Sequence, residues 1–187
     1  MTGSSELIDG LNAIITRYHS SLTRKIYTKE NNEHDLLMDV FGISPELKRE
    51  NRQYWGRELG MCWQLLIVEL CRQTRNDFGG AIRIGSDEPC DLTIGNIAID
   101  TKYRIGSGDS GTLKKFKANG LLLRSRGYAP ILLVLRTDNL QTAIGACKAG
   151  GWEVITGEEA FSFIRDLTKF DIRTFLVQKA GEFAVRK

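Results

Sequence analysis

The sequence predicts an α/β domain. It reads as an antiparallel three-stranded meander followed by helix and parallel strands, with helices on both faces and a helical region ahead of the core. Three observations predict it. Residues 90–102, CDLTIGNIAIDTK, hold two β-branched apolar runs joined by Gly95-Asn96, a two-residue hairpin turn with Gly first. Residues 129–136, APILLVLR, form an unbroken apolar run, as expected of a strand covered on both faces. Beyond that run, helical and strand patterns alternate to Leu167, an order that gives parallel strands with right-handed crossovers.

In chain order, 187 residues at 42% hydrophobic content suit one domain, residues 1–187, with a helical N-terminal region over 1–50 and a core over 53–165. Leu7, Leu11, Ile14, Ile15 and Tyr18 recur at helical spacing and predict a helix over residues 4–27. A short helix over 34–42 closes at Gly42, and Ser44-Pro45 starts the next with Ser as cap and Pro in the first turn. Trp55, Leu59, Cys62, Trp63, Leu66, Ile67 and Leu70 give residues 53–74 a broad apolar helical face. Residues 80–86, GAIRIGS, read as the strand that feeds the hairpin and completes the meander. The mobile-looking loop GSGDSG at 106–111 precedes a helix that Ser110 or Thr112 can cap. A helix over 140–149 stops at Gly150-Gly151, and a strand follows over 152–155. Thr156-Gly-Glu-Glu159 has the form of a capping box for a helix through Leu167, and the last twenty residues carry no clear pattern.

Composition narrows the function. No apolar run is long enough to cross a membrane, residues 1–10 lack a signal-peptide layout, and the four cysteines are dispersed, which together fit a cytoplasmic protein with reduced thiols. Both histidines, His19 and His34, fall in the N-terminal helices, so His-metal motifs and Ser/His or Cys/His triads have little to work with. The spacing GxxxxGK[ST] is absent, which leaves nucleotide hydrolysis unsupported. Net charge is only +3, but Lys102 to Arg136 carries eight basic residues against one acid, so the rest of the chain sums to −4. Such a concentrated basic stretch is the electrostatic footprint of a phosphate backbone. Lys114, Lys115 and Lys117 ride on the first turns of the helix that follows the loop, whose amides can meet a phosphate.

The hairpin carries the chemistry. A two-residue turn pairs Ile94 with Ile97, Thr93 with Ala98, Leu92 with Ile99, and Asp91 with Asp100. One face is then apolar, and the other carries Asp91, Thr93, Ala98, Asp100 and Lys102. Carboxylates opposed at about 5 Å destabilise a sheet unless a cation lies between them. Mg²⁺ takes carboxylate oxygens and keeps positions for water and phosphate. Lys102 lies one step further along that face, placed to hold an attacking water or to stabilise charge on a phosphate.

Asp91, eight intervening residues and then Asp100-Thr101-Lys102 resembles the PD-(D/E)xK nucleases, the superfamily that includes most type II restriction endonucleases. The Pro of that motif's name is displaced, with Cys90 at its position and Pro89 one place earlier. The resemblance covers roughly residues 53–165 and implies the restriction-endonuclease-like core, with Mg²⁺ as cofactor. It implies Asp91, Asp100 and the Thr101 carbonyl as metal ligands and Lys102 as the catalytic lysine. A helix carboxylate that reaches the metal carries over to Glu58, with Glu69 and Glu88 as rivals. The loop and helix that follow then contact DNA through Arg104, Ser107, Ser110, Thr112, Lys114, Lys115 and Lys117. The expected partner is double-stranded DNA cut at a specific sequence by a homodimer, alongside a cognate DNA methyltransferase. A junction resolvase or repair endonuclease on the same fold is the alternative within nucleases. A DNA-binding module with an inert acidic hairpin is the alternative outside them.

Overall fold

The computed structural model describes residues 35–85, 87–106 and 108–185. The helix expected over 4–27, both histidines and Ser107 lie outside them. Three helices come first: α1 (Leu36–Phe41), α2 (Pro45–Glu50) and the long α3 (Arg52–Thr74). Strands β1 (Phe78–Gly79), β2 (Ile82–Ile84), β3 (Asp87–Cys90), β4 (Leu92–Ile94) and β5 (Ile97–Lys102) follow. Then come α4 (Ser110–Ser125), β6 (Ala129–Val134), α5 (Gln141–Ala149), β7 (Glu153–Thr156), α6 (Glu158–Thr168) and α7 (Ile172–Gln178). No helix among the described residues is long and apolar enough to cross a membrane.

The main sheet runs β1-β4-β5-β6-β7, antiparallel across β1/β4 and β4/β5, parallel across β5/β6 and β6/β7. An α/β fold with a mixed five-stranded sheet is therefore observed. The hairpin has the expected register, Leu92 with Ile99, Thr93 with Ala98 and Ile94 with Ile97. Gly95 supplies the positive φ of +55° at its turn while Asn96 does not, as in a type II′ connection. Alternation along β5 and β6 then sorts the core into two layers. Leu92, Ile94, Ile99, Ile131 and Leu133 face Leu59, Trp63, Ile67, Phe161 and Ile164 of α3 and α6. Ala98, Leu132 and Val134 face Leu123, Ala143, Cys147 and Trp152 on and beside α4 and α5. Both faces of β6 are buried, which is why its sequence shows no polar alternation.

Three details depart from expectation. The third antiparallel strand is Phe78–Gly79, paired with Ile94 and Thr93; residues 82–84 pair instead with 87–90 as a separate two-stranded ribbon. Pro89 lies in β3, and its missing N–H suits a ribbon rather than a central strand. The capping box at Thr156 does not form, because Thr156 is spent as the last residue of β7, opposite Val134. Gly157 is the cap instead, at φ +59°, where an added Cβ would lie 2.5 Å from Thr137 Cγ2. The last twenty residues contain α7, with Ile172 and Leu176 in the core. Their tail donates from Gly181 N to Asp39 O and from Val185 N to Phe41 O, both at 2.8 Å, covering the end of α1.

A polar network ties α1 and α2 to the C-terminal ends of β5 and β6. Asp35 caps α1 through Oδ1, which accepts from Leu37 N and Met38 N at 3.1 Å each. Its Oδ2 accepts from the Tyr103 hydroxyl and, at 2.8 Å, from Arg136 Nη1. Arg136 also donates from Nε to Asp138 Oδ1 at 2.8 Å. Lys48, only 1% exposed, donates to Tyr103 Oη at 2.9 Å. Burial, together with the neighbouring Asp35 charge, pushes the Tyr103 hydroxyl far up, so it stays a donor. Removing one partner from such a network strands a buried charge. Asp35→Ala is expected to cost about 3–5 kcal/mol in urea denaturation, whereas Glu69→Ala, whose pairing with Arg72 is exposed, should leave the midpoint where it is.

Candidate active site

The site forms where β4 stops pairing with β5. Leu92–Ile99 is the last rung of that ladder, and Asp91 lies in the bend between β3 and β4. Its own N–H still donates to Ile99 O at 2.9 Å. Beyond that point the Thr101 amide has no strand beside it, and the Asp91 carboxylate takes its place. Oδ2 accepts from Thr101 N at 2.6 Å and from Thr101 Oγ1 at 2.7 Å. Oδ1 accepts from Gln64 Nε2, on α3, at 2.8 Å. The Asp91–Asp100 rung expected from the sequence is therefore not made, because the chain bends at Asp91 and turns its carboxylate onto Thr101.

Asp100 is 9% exposed and lies on the opposite side of β5 from Thr101. Lys102 reaches back to it, with Nζ 2.6 Å from Asp100 Oδ2, and donates to Thr101 O at 3.0 Å. Burial pushes the Asp100 carboxyl up to about 6, and the Asp91 charge adds to that, against the pull of Lys102 and Lys115. The two carboxylates are thus close enough to feel each other without opposing each other across the sheet.

An ammonium held between a carboxylate and a main-chain carbonyl marks a place where hard oxygen donors surround a cation. Asp91, Asp100 and Thr101 O are the donor types that Mg²⁺ takes, with water and phosphate completing its shell. Among the described residues no three His, Cys, Asp or Glu side chains converge as a metal-binding group, so a cation here would rely on the carbonyl and on water. Cys90 and Cys147 pack in the layer that contains Ala98. Burial pushes the Cys147 thiol up to about 11, which keeps it protonated and unsuited to nucleophilic work.

The remaining residues singled out in the sequence divide sharply. Glu58 stays on the exposed side of α3, where its Oε1 accepts from Arg57 Nε at 3.0 Å. At about 100° per residue it lies roughly 120° around the helix from Gln64, the α3 side chain that does reach the site. Glu69 pairs with Arg72 and Glu88 with Arg83, while the partners of the Asp91 carboxylate are Thr101 and Gln64. Gln64 was legible only as a lone polar residue inside the apolar run Trp63–Val68. Arg104 is committed to Asp138, donating from Nε to its main-chain oxygen at 2.9 Å and to Oδ2 at 3.1 Å. Asp109, not Ser110 or Thr112, caps α4, accepting from Thr112 N at 2.9 Å and from Thr112 Oγ1 at 2.6 Å. Lys114, Lys115 and Lys117 are exposed on α4, with Lys115 Nζ 3.1 Å from Asp87 Oδ1 and near enough to bias Asp100.

The elevated Asp100 carboxyl has a measurable consequence. The native state holds this proton up to about pH 6, whereas an unfolded Asp releases it near 3.8. Between those values the native state binds more protons, so this group's contribution to stability declines as pH rises through the window. Asp100→Asn is expected to flatten the decline between pH 4 and 6 in denaturant titrations and to leave the protein at least as stable at pH 7. No family model matches this chain, and neither does any curated protein or solved structure.

Proposed function

We propose that this protein is a Mg²⁺-dependent endodeoxyribonuclease of the type II restriction class, hydrolysing phosphodiester bonds of double-stranded DNA at a specific sequence. The observation that carries this reading is the cluster at the end of β5. There Lys102 Nζ bridges Asp100 Oδ2 and Thr101 O, and Asp91 accepts from the Thr101 amide, beside a helix that presents three exposed lysines. Burial raises the Asp100 carboxyl beside this lysine, and perturbed carboxyls of this kind cluster at functional sites.

Asp91, Asp100 and the Thr101 carbonyl would hold the cation. When bound, Mg²⁺ supplies Lewis-acid polarisation of the scissile phosphate. The rest belongs to the chain. Gln64 and Thr101 fix the Asp91 carboxylate, so little reorganisation is needed when substrate arrives. The Lys102 ammonium, which holds Asp100 and Thr101 O here, would be released from them by the cation, free to orient the attacking water and stabilise the charge that grows on the phosphate oxygens. Lys114, Lys115 and Lys117 neutralise flanking phosphates without reading bases. One such site cuts one strand, so a twofold homodimer would suit a duplex with a symmetric sequence. A cognate DNA methyltransferase would protect the host's own copies of that sequence.

The direct test is incubation of the purified protein with unmethylated phage DNA, with Mg²⁺ or with EDTA. Discrete Mg²⁺-dependent bands are expected. A smear would point to a nonspecific or repair nuclease, and intact linear DNA with cleavage of branched DNA to a junction resolvase. Asp91→Ala and Lys102→Ala should each lower the cleavage rate by at least about a hundredfold while duplex binding stays measurable. Lys114→Ala and Lys117→Ala should weaken binding alike on all sequences, each reducing the salt slope by about one unit.

A further inference from the structure

The ribbon formed by β2 and β3 is separate from the main sheet; Pro89 and Cys90 are buried, while Arg83, Asp87 and Glu88 are exposed. Ile82 packs toward the layer with Leu113 and Phe116 of α4, so Arg83, next along the strand, projects the other way. The register runs Ile82 with Cys90 and Ile84 with Asp87, so one residue of β2 faces two of β3. That is a bulge, centred on Glu88 and Pro89, and a bulge twists a ribbon and re-aims its side chains. It sets Glu88 against Arg83, with Arg83 Nε 2.8 Å from Glu88 Oε1, and both remain open to solvent at 79% and 50% side-chain exposure. An ion pair so exposed adds little to stability.

We infer that Arg83 and Glu88 form a unit that reads a G·C base pair in the major groove. A two-stranded ribbon is one of the two elements that this groove admits. The G·C edge presents two acceptors on guanine, O6 and N7, beside one donor on cytosine, N4. The ribbon offers the complement. Glu88 holds the guanidinium through Nε, and both terminal nitrogens of Arg83 are unused among the described residues, which suits bidentate donation to O6 and N7. Glu88 Oε2 is left to accept from N4. The pair is set side by side by the bulge, and its exposure leaves both groups open to a base edge. At the far end, Lys115 pairs with Asp87 and ties the ribbon to α4. At the near end, β3 runs straight into Asp91, three residues and about 10 Å of strand from Glu88. The base pair read would therefore lie within a few steps of the phosphate that is cut.

This inference rests on the nuclease reading and adds the identity of one recognised base pair. The test is cleavage of a library of randomised duplexes with Mg²⁺, followed by sequencing of the ends, for the wild type, Arg83→Ala, Glu88→Ala and Lys114→Ala. Both ribbon variants should relax the preference at the same G·C position by about tenfold or more, and Lys114→Ala should slow cleavage without changing any preference. Ribbon variants that cut with the wild-type preference at every position would overturn the inference and leave the nuclease standing. A wild type that neither cuts nor binds any duplex in the library would overturn both.

Discussion

Asp91 accepts the amide hydrogen of Thr101 at the point where β4 turns away from β5, and the site is built outward from that bond. An unpartnered amide beside an ending strand must be satisfied by something. Here a carboxylate does it, at 2.6 Å, with the Thr101 hydroxyl on the same oxygen. The bend that ends the ladder therefore also fixes an acidic group in place. It leaves the Thr101 carbonyl free of a strand partner as well, and Lys102 fills that position. A strand continued for one more rung would remove both features. The parallel pairing of β5 with β6, which extends through Lys102 and Val134, keeps the remaining side of β5 rigid while its other side opens.

Burial and charge act against each other around Asp100. A carboxylate 9% exposed is disfavoured as an ion, and Asp91 makes it worse. Lys102 and Lys115 offset part of that but leave the carboxyl elevated. The layer beneath it, with Ala98, Leu132, Val134 and Cys147, is part of the hydrophobic core. The site's electrostatic poise is thus a property of the β5–β6 sandwich between helices as much as of the acids themselves. The second polar assembly, around Tyr103 and Arg136, uses the other layer of the same strand ends. The two are adjacent in sequence, at Lys102 and Tyr103, and point to opposite faces.

Strong local patterns are legible in the sequence itself. The hairpin register followed from alternation and a Gly-first turn, and the position of β6 followed from an apolar run without interruption. Alternation fails where the chain stops being a strand, and so the expected Asp91–Asp100 rung is not made: the ladder ends at Leu92–Ile99. Thr156 was a plausible cap until the sheet claimed it. Glu58 and Gln64 differ only in how α3 is rotated against the hairpin, a tertiary quantity that helical periodicity leaves open. The network joining Asp35 to Tyr103 and Arg136 spans 101 residues, beyond the reach of any local pattern.

Helix α1 has only six residues, too few to persist by themselves in water. Its fastenings come from Tyr103, Arg136 and the stretch from Gly181 to Val185. During synthesis this early element must wait while nearly 150 further residues are made. The two ends of the described chain therefore close on each other like a clasp, Gly181 on Asp39 and Val185 on Phe41. Contacts so distant in sequence slow the search for the native state, and a chain that has not reached Gly181–Val185 lacks the bonds that cover the end of α1.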